Sequence, residues 1–192
     1  MTATLTTETP QTTPLPTAGH YSIDPSHSRI GFVARHAMVT KVRGSFDEFE
    51  GSCYFDPQDP SKTSLKLVIQ AASIDTRNAD RDNHLRSNDF FDMENFPTLT
   101  FASTDVAAEG TTYHVTGDLT VRGVTKQITV DFEYLGAATD PFGNDRIGFE
   151  GTAVINRKDF GVNFNAPLET GGVLVGEKIT LDLEVSAIYQ ES

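Results

Sequence analysis

Ile179-Thr180-Leu181-Asp182-Leu183-Glu184-Val185-Ser186 alternates apolar and polar residues at every step. A β-strand sends successive side chains to opposite faces, so this stretch turns four aliphatic groups to one side and four polar groups to the other. Ile128-Thr129-Val130-Asp131-Phe132-Glu133-Tyr134 repeats the pattern. It recurs at Ile30–Ala34, Leu65–Ile69, Leu99–Phe101, Tyr113–Val121 and Ile147–Ile155, and Phe46–Phe55 reads as a strand pair or one bent strand. Turn-forming residues fill the gaps, as in Asp56-Pro57, Glu109-Gly110, Arg122-Gly123 and Asp140-Pro141-Phe142-Gly143-Asn144. The domain is mainly β.

Two stretches read as helical. Ala37–Val42 has room for a turn or two, and Asp80–Phe91 reads as a helix with Asp80 as its N-cap. Pro97 stops any continuation beyond Phe96. About eight strands with one apolar face must either close into a barrel or stack as two sheets. Two features favour the barrel. The chain has no Trp and only one Cys, so the hallmarks of an immunoglobulin-type sandwich are missing. Its 13 Phe residues suit the wall of an apolar cavity.

The 192 residues are 38% apolar and 22% charged, which is enough for one packed domain. We expect a disordered Thr/Pro-rich leader at 1–19 and a single β-barrel domain at 20–192. With 15 Lys and Arg against 27 Asp and Glu, the net charge is −12. Such a chain repels nucleic-acid phosphates and, for the same reason, anionic membranes. No stretch of 18 apolar residues is present, so stable membrane insertion through a helix is not expected. The leader lacks the basic and apolar regions of a secretory signal. With the single Cys53, this leads to the expectation of a cytoplasmic protein.

Catalytic and metal-binding patterns are missing. His20, His27, His36, His84 and His114 show no His-x-His or His-x₃-His spacing, so no metal site is expected. They read as partners for backbone or carboxylate groups at element ends. There is no Gly-x-Ser-x-Gly elbow. The run Gly171-Gly172-x-x-x-Gly176 lacks the Gly-Lys-Ser/Thr ending of a phosphate loop. Asp47 and Glu48 are neighbours on a strand and face opposite ways. Two polar strings stand out, Arg81-Asp82-Asn83-His84-Leu85-Arg86-Ser87-Asn88-Asp89-Phe90-Phe91 and Asn156-Arg157-Lys158-Asp159-Phe160-Gly161-Val162. They read either as salt-bridged corners or as a helix over a barrel mouth, with Phe90 and Phe91 against the cavity and Arg81 and His84 near a ligand's polar end.

Five strings together resemble the YceI-like polyisoprenoid-binding proteins. They are Asp24-Pro25-Ser26-His27-Ser28 leading to Ile30 and Phe32; His36 with Gly44-Ser45-Phe46; Arg81-Asp82-Asn83-His84-Leu85 with Asp89-Phe90-Phe91 and Pro97; Gly117 to Lys126; and Arg157 to Val162. The resemblance implies an eight-stranded antiparallel lipocalin-like barrel with one or two short helices. It also implies an apolar pore for a polyisoprenoid, a prenylquinone-like chain or another amphiphile, and a homodimer. Many members of that family carry a secretion signal and are periplasmic.

The ligand-contacting set expected from residues and resemblance together is Phe32, His36, Phe46, Arg81, His84, Phe90, Phe91, Phe101, Phe132 and Phe149. No cofactor is expected beyond the bound lipid. Each buried CH₂ is worth about 0.8 kcal/mol, so one isoprene unit contributes about 3 kcal/mol without any headgroup chemistry. The expected function is a binding protein for carriage, storage or sequestration. Two alternatives stand beside it: a lipid-modifying enzyme using His36 or His84, and a ligand-free interaction module with a filled barrel. Gly117, Gly151 and Ala153 on apolar faces read as leaving space for a cavity.

Overall fold

The protein is described by a computed structural model over residues 16–169 and 171–191. Most of the expected leader, residues 1–15, lies outside the described residues, and the first strand begins at its last residue, Gly19.

β1 (Gly19–Ile23) and β2 (Arg29–His36) follow one another past a tight turn at Pro25–His27. Both lie antiparallel to the last strand, β11 (Val175–Tyr189), with Tyr21 opposite Tyr189 and Phe32 opposite Leu181. β3 (Thr40–Phe46) pairs with β2, while its continuation β4 (Phe49–Phe55) pairs with β1. β5 (Ser64–Gln70) and the short β6 (Ile74–Asp75) divide in the same way, onto β4 and β3. β7 (Thr98–Glu109), β8 (Thr112–Val121), β9 (Val124–Thr139) and β10 (Asp145–Asn156) complete the sequence. With each bent pair counted once, eight antiparallel strands follow in simple up-and-down order, and β11 closes back onto the first. Closure leaves no long unpaired edge, and it decides the choice between barrel and sandwich.

The alternation of the sequence becomes inside and outside. Leu181, Leu183 and Ala187 of β11, Val130 and Phe132 of β9, and Leu99 and Phe101 of β7 point into the barrel. Their polar neighbours Asp182, Glu184, Asp131 and Glu133 are exposed.

Two expectations about helices are corrected. Ala37–Val42 is not helical but a β-hairpin, with Ala34 opposite Val42 and His36 opposite Thr40. Ala37 and Met38 take φ of 49° and 65°, the consecutive positive values of a type I′ turn, and the β-branched Val39, Thr40 and Val42 suit the strand that follows. The one α-helix among the described residues, α1, spans Ala79–Arg86, and its N-cap is Asn78, not Asp80. The Asn78 side chain accepts the Arg81 amide at 2.9 Å, which leaves Asp80 and Asp82 in the first turn, where the helix dipole favours acids. Ser87 ends the helix, and the chain then turns so that the Phe91 amide reaches the Leu85 carbonyl at 3.0 Å.

α1 lies at the barrel end where β5 finishes and β7 starts. Arg86 ties it down by donating to the carbonyls of Ala72 (2.8 Å) and Ile74 (2.9 Å). Buried Asp82 accepts from the Thr76 amide and hydroxyl. The opposite end is held by Arg146, whose guanidinium bonds Asp24 and Asp140 at 2.7 Å each. Tyr21, almost fully buried, donates to the Thr17 carbonyl at 2.6 Å. Burial, with the neighbouring Cys53 as a lesser cause, pushes its pKa up to about 12.

Candidate functional site

The inward alternation leaves a space along the barrel axis. A cavity of ≈ 190 Å³ occupies the half nearest α1, and a second of ≈ 70 Å³ lies deeper. Ile30, Leu65, Leu67, Phe132 and Leu183 border both, so the two are consecutive chambers of one lumen. The surface that each presents is entirely apolar.

Glycine on the wall has a different use from the one read in the sequence. A Cβ on Gly151 would strike the Phe132 ring directly opposite on β9, within 2.7 Å of Cδ1 and 3.0 Å of Cζ. One on Gly117 would meet Phe101 Cζ at 2.6 Å, and one on Gly44 would collide with the ring of Phe32, its partner in the register. These glycines leave room for rings, not for ligand. Each ring lies close against the backbone of the next strand and turns its other side to the lumen.

Seven of the ten expected contact residues line this lumen. Phe32, Phe46, Phe90, Phe91, Phe101 and Phe132 border the larger chamber, and Phe149 the smaller. Phe46 links its neighbours, with ring centroids 5.8 Å from Phe32 and 5.7 Å from Phe91. Phe149 stands in an aromatic cluster with Phe55, Tyr113 and Tyr134. Phe90 is held in place by the β8–β9 turn, where Arg122 donates to its carbonyl at 3.0 Å. That turn takes positive φ at Arg122 and Gly123, with Phe96 packed over Gly123.

The three expected polar contacts lie outside the wall. His36 is exposed where the β2–β3 hairpin runs past the rim. Arg81 turns back to the segment before α1, donating to the Thr76 hydroxyl and carbonyl at 2.7 Å each. His84 pairs with Asp89 at 2.8 Å and lies edge-on to Phe90 and Phe164, buttressing the wall from outside. Local hydrogen bonds have claimed the Arg81 and His84 side chains, His36 is exposed at the rim, and none of the three lines the lumen.

Residues that the sequence reading left out complete the site. The aliphatic wall (Leu119, Val130, Ile155, Leu181 among others) carries the same alternation and was legible as an inward face. Arg157 was not. It is only 6% exposed at the α1 end, where its three guanidinium nitrogens donate to the carbonyls of Gly176 (2.9 Å), Val162 (2.7 Å) and Val175 (3.2 Å). Desolvation lowers its pKa below the usual arginine range. The side chain thereby stitches the chain after β10 to the start of β11. Cys53, on the wall of the deeper chamber, is half-buried, and desolvation there pushes its thiol up to about 12 and leaves it a poor nucleophile. Among the described residues, no group of three His, Cys, Asp or Glu is placed to hold a metal ion.

A closed eight-stranded antiparallel barrel around an apolar lumen defines a lipocalin-like architecture. Sequence comparison gives the family: the YceI-like domain matches residues 21–187, and the chain belongs to the YceI-like family. A UPF0312 protein of Photorhabdus laumondii is 44% identical over 153 residues, 79% of each chain. The crystal structure of BcnA from Burkholderia cenocepacia superposes with a TM-score of 0.76 at 25% identity, covering 85% of this chain and 98% of BcnA. A polyisoprenoid-binding domain from Saccharophagus degradans shares the fold at a TM-score of 0.68 and 16% identity, covering 88% and 98%.

Proposed function

We propose that this protein binds the hydrocarbon chain of a polyisoprenoid or prenylquinone-like amphiphile inside its barrel, for carriage, storage or sequestration. The observation that carries this reading is the two-chamber lumen whose free surface is wholly apolar. A dry apolar cavity of about 150 Å³ is large enough to take up a benzene-sized guest. The larger chamber therefore accommodates one or two isoprene units as it stands. A longer chain reaches the deeper chamber by displacing Phe132 and Leu183 at the junction. The family and the polyisoprenoid-binding neighbour support a binding role over a catalytic one. So does the placement of His36 and His84 away from the lumen. Among the described residues, the one charged side chain bordering the larger chamber is Arg157, with its nitrogens engaged by carbonyls.

The test is native mass spectrometry on protein purified without detergent, before and after incubation with a panel of prenyl alcohols and prenylquinones. A stoichiometric adduct that organic extraction releases supports the reading. A bare mass that persists across the whole panel refutes it and favours the ligand-free module.

A further inference from the structure

The β2–β3 hairpin departs from the rest of this acidic chain. From Arg29 to Phe46 there are four basic residues (Arg29, Arg35, Lys41 and Arg43) and no Asp or Glu. The remaining sequence holds 15 − 4 = 11 basic residues against all 27 acidic ones. Phe32 and Ala34 of β2 border the lumen, so Val33 and Arg35 face outward. The register sets Arg43 opposite Val33 and Lys41 opposite Arg35. Three cations thus share one outer face, all exposed and without an ion-pair partner among the described residues. Like charges directly across a strand pair repel, so this arrangement works against the hairpin in isolation.

The tip beyond these cations is apolar. Met38 is 56% exposed and Val39 76%. They belong to the turn in which Ala37 and Met38 take positive φ, a conformation that favours Asn and Gly. The hairpin lies at the barrel end that holds α1 and the larger chamber, where the Ala37 amide donates to the Leu174 carbonyl at 2.8 Å and Met38 lies beside Gly172. Apolar side chains at a tip, with unpaired cations behind them on one face, match the layering of an anionic bilayer, with hydrocarbon below a negative surface.

We infer that the β2–β3 hairpin docks this barrel on an anionic lipid surface, with Met38 and Val39 entering the interface and Arg35, Lys41 and Arg43 meeting the headgroups. The charge asymmetry sets the orientation, since the acidic remainder of the molecule is repelled while the hairpin is attracted. Docking in this pose turns the α1 end of the lumen toward the bilayer. The purpose of that pose, transfer of a chain between membrane and barrel, rests on the function proposed above. The docking itself does not.

The test uses the full chain with vesicles that contain no isoprenoid, made of phosphatidylcholine alone or mixed with phosphatidylglycerol. The wild-type chain should co-sediment with the anionic vesicles and not the neutral ones, and high salt should release it. Each cation at an anionic surface is worth about a five-fold change in binding, so Arg35→Gln, Lys41→Gln and Arg43→Gln together should weaken it about 100-fold. A second variant, Met38→Asn with Val39→Thr, keeps turn and strand preferences and removes the apolar tip. It should lose about ten-fold or more. A wild-type chain that ignores anionic vesicles at low salt overturns the inference and leaves a protein as the hairpin's partner. So does a triple variant, folded by circular dichroism, that binds like wild type. Docking without uptake of any prenyl lipid refutes the proposed function and spares this inference.

Discussion

Replacing Gly151 by alanine places a methyl group within 2.7 Å of Phe132 Cδ1 and 3.0 Å of Cζ. Ordinary contact begins at 3.4 Å, so the ring must withdraw by at least 3.4 − 2.7 = 0.7 Å. Gly151 and Phe132 are directly paired across β9 and β10, so parting the backbones would cost ladder hydrogen bonds. The ring moves instead toward the axis, where it borders both chambers. Overpacking usually costs about 1–3 kcal/mol, and empty space ahead of the ring puts this case at the lower end. The larger effect falls on the ligand. Losing room for one or two methylene groups, at about 0.8 kcal/mol each, weakens chain binding about 4- to 15-fold. Adding Phe132→Leu shortens the intruding side chain and should restore affinity. The two sites touch, so their effects should be strongly non-additive. Thermal unfolding gives the stability change, and titration with a fluorescent polyene chain displaced by geranylgeraniol gives the affinity. Unchanged affinity in a folded Gly151→Ala protein, with no coupling to position 132, would refute the picture of a ring standing between wall and ligand.

Two further outcomes follow from the ends of the barrel. Arg157→Ala removes a donor from three carbonyls; that of Val175 keeps the Asn165 side-chain amide at 2.8 Å, and the other two cost about 1–3 kcal/mol each if left unsatisfied, so thermal or urea unfolding should show a loss of at least about 2 kcal/mol. A loss below about 1 kcal/mol would mean that the guanidinium is not what joins β11 to the preceding turn. At the other end, hydrogen bonds from Ser26 and then Arg146 hold the Asp24 carboxyl well below the usual range, as those from Asn144 and Arg146 do for Asp140. A carboxyl depressed on folding stabilises the protein above its unfolded pKa, and that contribution fades as pH falls below about 4. Acid unfolding of Asp24→Asn followed by circular dichroism should therefore be less steep below about pH 4 than that of wild type, from a lower starting stability at neutral pH. Parallel curves would remove Asp24 from the acid response.

The apolar faces were legible because alternation is local. Each of Ile179, Leu181 and Leu183 declares its side through its own neighbours, and seven wall phenylalanines were found on that signal together with the family strings. Wherever the outcome depended on contacts between strands, the sequence misled. Gly151 read as empty space, yet the β9–β10 register lays Phe132 across it. Ala37 and Met38 read as helical, since nothing nearby shows that Val42 pairs with Ala34. Arg81 and His84 read as ligand contacts because their polarity is visible, while the Thr76 and Asp89 groups that engage them are set by the fold around α1.

By itself, the sequence determined that this is a mainly β chain with an aromatic interior and a strongly acidic surface interrupted by one basic stretch. Those properties follow from residue type and period, which folding does not change. Only the tertiary structure decided that the strands close into a barrel, that Arg157 lies buried among three carbonyls, and that the basic stretch becomes a hairpin beside the lumen. Each of these depends on which backbone groups meet across distant segments, and closure is a property of the whole set of strands that no single strand encodes.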